Sequence, residues 1–355
     1  MLFSKNKTLL GLNIGSGYIK IVELKDSGTV YTLNNFGMAA LPADAIVDGT
    51  IMDTSAVVGA IKNLSANLKI KKKRICTSIS GHSVIIKKIS LPKVDENTIE
   101  ETIHQEATQH IPYDISDVNL DFQILGPSQE NPENMDIILV AVKKETINDY
   151  LMLIEEAGLV PIVVDVDTFA LENVYEHNYE DSPDKIVALV DIGANLTCLN
   201  IVDDGVTLFS RNLTAGSRII TEQLQKKFSL SYEKAELLKL GCPDKSIGDS
   251  RLVIPAITES FFPLINEITK VIDFFHNSTA GKRIDKIMLS GGGARTFNLL
   301  EAMEKSLGIK IEIINPFRNI IIPEKLFDLE YIKEIAPLAA VATGLALRKD
   351  EAVQR

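Results

Sequence analysis

The sequence predicts a two-lobed α/β protein with a small α+β unit inserted in its first half. Three observations carry that expectation. At 355 residues the chain exceeds the size at which a single hydrophobic core keeps growing. A strand, glycine turn, strand phrase occurs twice, as LLGLNIGSGYIKIVEL at 9–24 and IVALVDIGANLTCLNIV at 186–202, each with an amide or acidic residue before Ile-Gly. Finally, IDKIMLSGGGARTFNLLEAMEKSLG runs from an apolar strand through three glycines into a helix. The recurrence of the hairpin points to a duplicated design.

After the first hairpin, YTLNNFGMAAL (31–41) reads as a strand, SAVVGAIKNLSANLKI (55–70) as a helix, and RICTSISG (74–81) as a further strand. This run predicts one crossover helix and a last strand parallel to an earlier one. Residues 82–160 change character. HSVIIKKISLP is a strand, VDENTIEETIHQEATQHIP an amphipathic helix, VNLDFQILGP and IILVAV hairpin-like strands around an Asn/Pro/Glu-rich break, and ETINDYLMLIEEAGL a helix. VPIVVDVDTFALENVYEHN then reads as strand and helix, and polar NYEDSPDK marks a lobe boundary.

The second half begins with the second hairpin. A helix with Thr214 as candidate cap follows, then SYEKAELLKLG as a helix ended by Gly241, and a long helix over 253–280 closed by Gly281. APLAAVATGLAL (336–347) is a small-residue helix.

Composition removes several function classes. A formal net charge of −11 argues against a nucleic-acid partner, which needs a concentrated basic surface. The basic run Lys71, Lys72, Lys73, Arg74 reads either as a solvated loop or as a contact to anionic lipid or a partner. Cys76, Cys198 and Cys242 have no metal-type spacing and fit a reducing cytoplasm. No uncharged stretch reaches the roughly 18–20 residues of a spanning helix, and the N-terminus lacks a secretory apolar core. The five histidines, at 82, 104, 110, 177 and 276, show no ligand spacing, so no zinc or nucleophilic site is expected.

Glycine turns let backbone N–H groups approach phosphate oxygens closely. In dinucleotide and P-loop folds such a turn leads into a helix. Both hairpins here return into strands with apolar alternation (Tyr18, Ile19, Ile21, Val22; Leu196, Cys198, Leu199, Ile201), which disfavours those folds. The triple glycine places a tight turn where a flat base could lie, with a helix N-terminus adding positive dipole.

The order of these motifs resembles the actin, sugar-kinase and heat-shock-chaperone ATPase superfamily. GLNIGSGYIK matches its first phosphate motif, VDIGANLT the second, MLSGGGARTFNL the adenosine motif, and VVDVDTFALENVYE and APLAAVATGLAL the two connecting helices. The resemblance implies an actin-like (ribonuclease H-like) two-lobed ATPase fold. Its subdomains would be 1A (1–81, 161–182 and 331–355), an inserted 1C (82–160), 2A (183–222 and 284–330) and 2B (223–283). It implies nucleotide contacts from Asn13, Gly15, Ser16, Gly17, Tyr18, Lys20, Asp191, Gly193, Ala194, Asn195, Gly216, Gly291, Gly292, Gly293 and Ala294. Glu236 and Lys239, on one helix face, would touch ribose or adenine; without the family they read equally as an exposed ion pair.

The cofactors implied are ATP and Mg²⁺, the metal held through water by Asn13 and Asp191. Asn13 stands where the superfamily usually has Asp, and an amide brings no negative charge to offset the cation. Hydrolysis is therefore in question, and the expectation is a weak ATPase at most. Asp165 and Asp167 are candidates for positioning or activating water; helix capping is the competing role for either.

The insertion resembles that of the division protein family FtsA and of the PilM family of type IV pilus assembly proteins. ISLP before an acidic helix, EATQHIPYDISDVNLDFQIL and VDVDTFALEN look closest to PilM, and the ending LRKDEAVQR lacks the amphipathic membrane helix of FtsA. This implies a cytoplasmic actin-like assembly module, peripheral at the inner membrane through partners. It would bind the N-terminal cytoplasmic tail of PilN in a groove between the first lobe and the inserted subdomain, with nucleotide tuning the interaction. Edges at 82–91 and 118–125 could accept an extended peptide. Other pilus platform proteins and the assembly ATPase are further candidate partners. An FtsA-like filament-forming ATPase and a small-molecule kinase of the same fold are the alternatives.

Overall fold

A computed structural model describes residues 8–350, apart from 95–97, 129–130, 180–184, 243, 245–246, 248–249 and 280. The expected lobe boundary at 178–185 lies largely outside the described residues. The chain opens with β1 (Leu10–Ile14), β2 (Tyr18–Asp26), β3 (Tyr31–Ala40), a short hairpin of β4 (Ile46–Val47) and β5 (Thr50–Ile51), α1 (Thr54–Asn67) and β6 (Arg74–Ile79). A separate unit follows: β7 (Val84–Pro92), α2 (Ile99–His110), β8 (Val118–Pro127), β9 (Asn134–Lys143) and α3 (Lys144–Glu156). Then come β10 (Val160–Val166) and α4 (Asp167–Asn178). The second half holds β11 (Ile186–Ile192), β12 (Thr197–Asp203), β13 (Val206–Leu213), α5 (Arg218–Phe228), α6 (Tyr232–Lys239), α7 (Val253–Ser278), β14 (Lys286–Ser290), α8 (Leu299–Leu307) and β15 (Lys310–Ile313). The chain closes with β16 (Ile320–Ile321), α9 (Leu329–Ile335) and α10 (Ala340–Leu347).

The duplication read from the hairpins extends to whole sheets. The first runs β10-β6-β1-β2-β3-β16 and the second β13-β12-β11-β14-β15. Each contains an antiparallel three-strand meander followed by two strands parallel to its first member. In both hairpins the residue before Ile-Gly faces the seventh residue after it: Asn13 pairs with Lys20, and Asp191 with Cys198. β1 is buried along its whole length, the pattern of a central strand covered on both faces.

One of those covers is α10, and its small residues have a geometric cause. A Cβ on Gly11 of β1 would lie 2.1 Å from the Ala342 carbonyl, and one on Gly344 would lie 1.7 Å from the carbonyl of Ala170 on α4. The helix thus touches backbone on two sides. The inserted unit is an antiparallel sheet ordered β7-β9-β8, with α2 packing Ile99, Ile103 and Ala107 into its own core beside Ile137 and Leu139.

Two local expectations are corrected. Thr214 does not cap α5: the helix starts at Arg218, with Ser217 at the capping position. The triple glycine does not open directly into α8, because a 3₁₀ turn over Gly292–Arg295 intervenes and α8 begins at Leu299.

Candidate functional site

Both glycine hairpins face one cleft of about 550 Å³ between the lobes. The first turns at Gly15, whose N–H donates to the Tyr18 carbonyl at 3.2 Å; the second turns at Gly193, whose N–H donates to the Leu196 carbonyl at 2.8 Å. The hairpin tips meet. Asn195 N–H donates to Ser16 Oγ at 3.2 Å, and Asn195 Nδ2 reaches across to the Ile46 carbonyl at 3.0 Å.

The cleft floor carries charge. Lys20 Nζ donates to Asn13 Oδ1 at 2.9 Å, and Asp191 and Asp167 are the carboxylates that act on its ammonium. Burial lowers the Lys20 pKa while the two carboxylates pull it back up. Burial likewise raises the Asp191 and Asp167 carboxyls above their usual range, against Lys20 and the serine hydroxyls that donate to them. Ser290 Oγ donates to Asp191 at 2.7 Å and Ser78 Oγ to Asp167 at 2.5 Å. Asn13 and Asp191 hold equivalent strand positions on opposite sides of this floor. Oxygen donors of this kind suit a hard divalent cation such as Mg²⁺, with one negative charge fewer than an Asp pair would give.

At the other end, Glu236 and Lys239 of α6 line the cleft. They are not an exposed ion pair: Lys239 is 3 % exposed. Its Nζ lies 2.6 Å from Glu236 Oε1 and 3.0 Å from Thr221 Oγ1, and that hydroxyl also donates to Glu236. Arg218, Tyr232 and Arg295 also line this end, joined by Leu240 and Leu338. This end of the cleft thus combines leucine side chains with a tyrosine, two arginines and the Glu236–Lys239 pair.

The cleft therefore brings together Asn13, Gly15, Ser16, Gly17, Tyr18, Lys20, Asp167, Asp191, Gly193, Ala194, Glu236, Lys239 and Gly292. Other expected residues stand behind the lining. A Cβ on Gly216 would meet the Ala194 carbonyl at 2.3 Å, one on Gly291 the Ile192 carbonyl at 2.4 Å, and one on Gly293 the Ile192 side chain at 2.2 Å. Their missing side chains let neighbouring segments close on the second hairpin, and Ala294 is buried beside them. Asp165 is elsewhere. Its Oδ2 accepts from Arg348 Nε at 2.7 Å and its Oδ1 from Val166 N–H at 2.8 Å, so it lines a different cavity. Neither aspartate caps α4; Val166 occupies that position.

The second cavity, about 950 Å³, lies between the inserted sheet and the first lobe. Phe122 of β8 and Ile138 of β9 face Ile162 of β10 and Phe169 of α4, with Leu347 and Arg348 on a third side. Residues 82–91, expected to share a peptide edge with 118–125, do not line it. In the order β7-β9-β8, β8 and β9 border this space, while β7 packs toward β13 of the other lobe.

Sequence reasoning missed Arg218, Tyr232 and Arg295. Arg218 had a signal, since it follows Gly216 and Ser217 where the chain passes the hairpin. Arg295 had a weaker one, just beyond the triple glycine.

Two matching lobes with opposed glycine hairpins and a charged floor define an actin-like ATPase fold. Solved structures sharing it include the ethanolamine utilization protein EutJ from Carboxydothermus hydrogenoformans (14% identity, TM-score 0.55, 96% of this chain and 90% of that one). Another is MreB5 of Spiroplasma citri bound to ADP (12% identity, TM-score 0.56, 98% of each chain). A PilM–PilN type IV pilus biogenesis complex matches far more closely, with 30% identity and TM-score 0.85 over 97% of this chain and 98% of that one. The family model for type IV pilus assembly protein PilM matches residues 11–350, and the chain belongs to that family. Among the described residues, no helix is long and apolar enough to cross a membrane.

Proposed function

We propose that the chain is a nucleotide-regulated assembly module of the type IV pilus machinery, working in the cytoplasm at the inner membrane through its partners. The cleft takes ATP. The two hairpins supply backbone N–H groups to the phosphates, Lys20 faces the triphosphate, and Asp191 with Asn13 would hold Mg²⁺ through water. The ion would supply charge neutralisation of the phosphates. Glu236, Lys239, Arg218 and Tyr232 frame the nucleoside. The observation that carries this reading is the Asn195–Ser16 hydrogen bond, which joins tips from opposite lobes over one charged floor.

The partner is the cytoplasmic tail of PilN, the protein complexed with the PilM of the similar structure. The 950 Å³ groove is the site whose form fits an extended peptide, its lining mixing apolar residues such as Phe122, Ile138 and Phe169 with polar ones such as Gln123, Asn173 and Arg348. A nucleotide bridging both lobes stabilises the closed arrangement by mass action and adjusts peptide affinity, with slow turnover. Calorimetry with Mg-ATP and then with a synthetic PilN-tail peptide tests the proposal. One site for each ligand supports it; no heat and no melting shift with either ligand removes it.

A further inference from the structure

The groove is built from the elements that join the lobes. α4 presents Asp167 to the nucleotide cleft at its first residue, then Phe169, Asn173 and His177 to the groove along its length. α10 follows a turn whose Leu338 lines the cleft and whose Pro337 carbonyl accepts from Gly291 N–H at 2.9 Å. The chain leaving its far end supplies Leu347, Arg348 and Lys349 to the groove. α4 thus has one end in each cavity, and α10 with the turn before it runs from the cleft to the groove. Where they cross, Gly344 leaves no room even for a methyl group against the Ala170 carbonyl, so side-chain rearrangement cannot absorb a shift between them.

Residues 165–167 tie the two cavities at a single point. Asp165 faces the groove and is held by Arg348 at 2.7 Å; Asp167 faces the cleft and is held by Ser78 at 2.5 Å. The segment Arg348–Asp350 is anchored independently, through Asp350 to Arg74 at 2.6 Å and through the Leu9 N–H to the Arg348 carbonyl at 3.4 Å.

Taking the nucleotide and peptide assignments above as its basis, we propose that the Arg348–Asp165 pair couples the two sites. A nucleotide that draws on Asp167 shifts the β10–α4 junction, and the pair carries that shift to the groove wall at 347–349. A peptide in the groove acts on the nucleotide through the same contact, because coupling between binding sites is reciprocal.

The test uses the full chain. Nucleotide affinity is measured with and without saturating PilN-tail peptide in the wild type and in Asp165→Asn and Arg348→Gln. The peptide changes the wild-type nucleotide Kd at least about fivefold, and either variant that still binds both ligands reduces the change below about twofold. A second measurement needs neither variant nor peptide: Mg-ATP alone changes amide exchange at 163–166 and 346–349 in the wild type. Variants that keep the full ratio, or unchanged exchange at both segments, overturn the proposal. Failure of the wild type to bind one of the ligands removes the reading beneath it, whereas binding of both at unaltered affinity removes this proposal alone.

Discussion

The backbone N–H of Asn195 donates to the hydroxyl of Ser16 at 3.2 Å, although 179 residues separate them in the chain. Each belongs to the tip of a β-hairpin whose parent sheet repeats the other's strand order. A duplicated unit facing its own copy turns two ordinary glycine turns into opposing donors above a shared floor.

Gly216 lets the start of α5 close on the second hairpin. Its neighbour Ser217 donates its N–H to the Gly193 carbonyl at 2.9 Å, as Arg218 does to Ala194 at 2.9 Å. The Cβ of Gly216→Ala would sit 2.3 Å from the Ala194 carbonyl, and backbone cannot give way as a flexible side chain can. Titration calorimetry should show nucleotide affinity falling about tenfold or more, equivalent to about 1.4 kcal/mol. Undiminished affinity would mean that this contact does not shape the site.

Lys20 is the cation set between Asp191 and Asp167. On the proposed reading, Lys20→Met removes the charge that meets the phosphates and leaves the two carboxylates to repel them. We expect triphosphate affinity to drop by more than about tenfold, consistent with loss of a charge-assisted contact. Asn13→Asp restores a second carboxylate facing the metal position, and stronger Mg²⁺ dependence of binding is the expected result.

Hairpins, triple glycine and small-residue helix were legible because each is a local pattern: turn glycines, period-two strands and a run without bulk. Asp165 and Asp167 show where such reading stops. Two residues apart, they would share a face in a strand, but the chain changes to helical period at Val166. That switch sends one carboxylate to the groove and the other to the cleft. Arg218, Tyr232 and Arg295 reach the α6 end of the cleft from three separate segments, and no spacing within any one of them announces the meeting. The family resemblance implied a groove between the first lobe and the insertion, but its third wall escaped for the same reason, since it comes from 347–349.

Glu172 on α4 accepts from Asn200 Nδ2 at 2.9 Å and Thr207 Oγ1 at 2.8 Å, joining the connecting helix to the second lobe's sheet. Burial raises its carboxyl to about 7, with Glu176 adding to the rise and the hydroxyl, amide and Arg348 opposing it. The folded pKa lies above the unfolded one of 4.5, so the unfolded chain releases this proton first. This group's contribution to stability is full below the unfolded value and is lost as pH climbs to about 7. Glu172→Gln should therefore stabilise at pH 8, on the order of 2 kcal/mol after allowance for solvent screening, and change little near pH 4. Denaturant melts at the two pH values check the sign.

Lys239 keeps its ammonium buried by pairing with Glu236. Removing only the acid, in Glu236→Gln, leaves that charge uncompensated and should cost about 2 kcal/mol, Glu236 being partly exposed. Adding Lys239→Met to the same chain should return part of the loss. Urea midpoints for the wild type, both single variants and the pair give the comparison, and a double variant weaker than both singles would contradict it.

The claim on which the rest depends is that hairpins from both lobes grip one nucleotide's phosphates. A crystal structure of the chain with Mg²⁺ and a non-hydrolysable ATP analogue addresses it directly. The account predicts phosphate oxygens within about 3 Å of backbone N–H groups in both 15–18 and 193–196, with the Asn195–Ser16 contact giving way to them. A nucleotide held by one lobe alone, or bound outside this cleft, would contradict it.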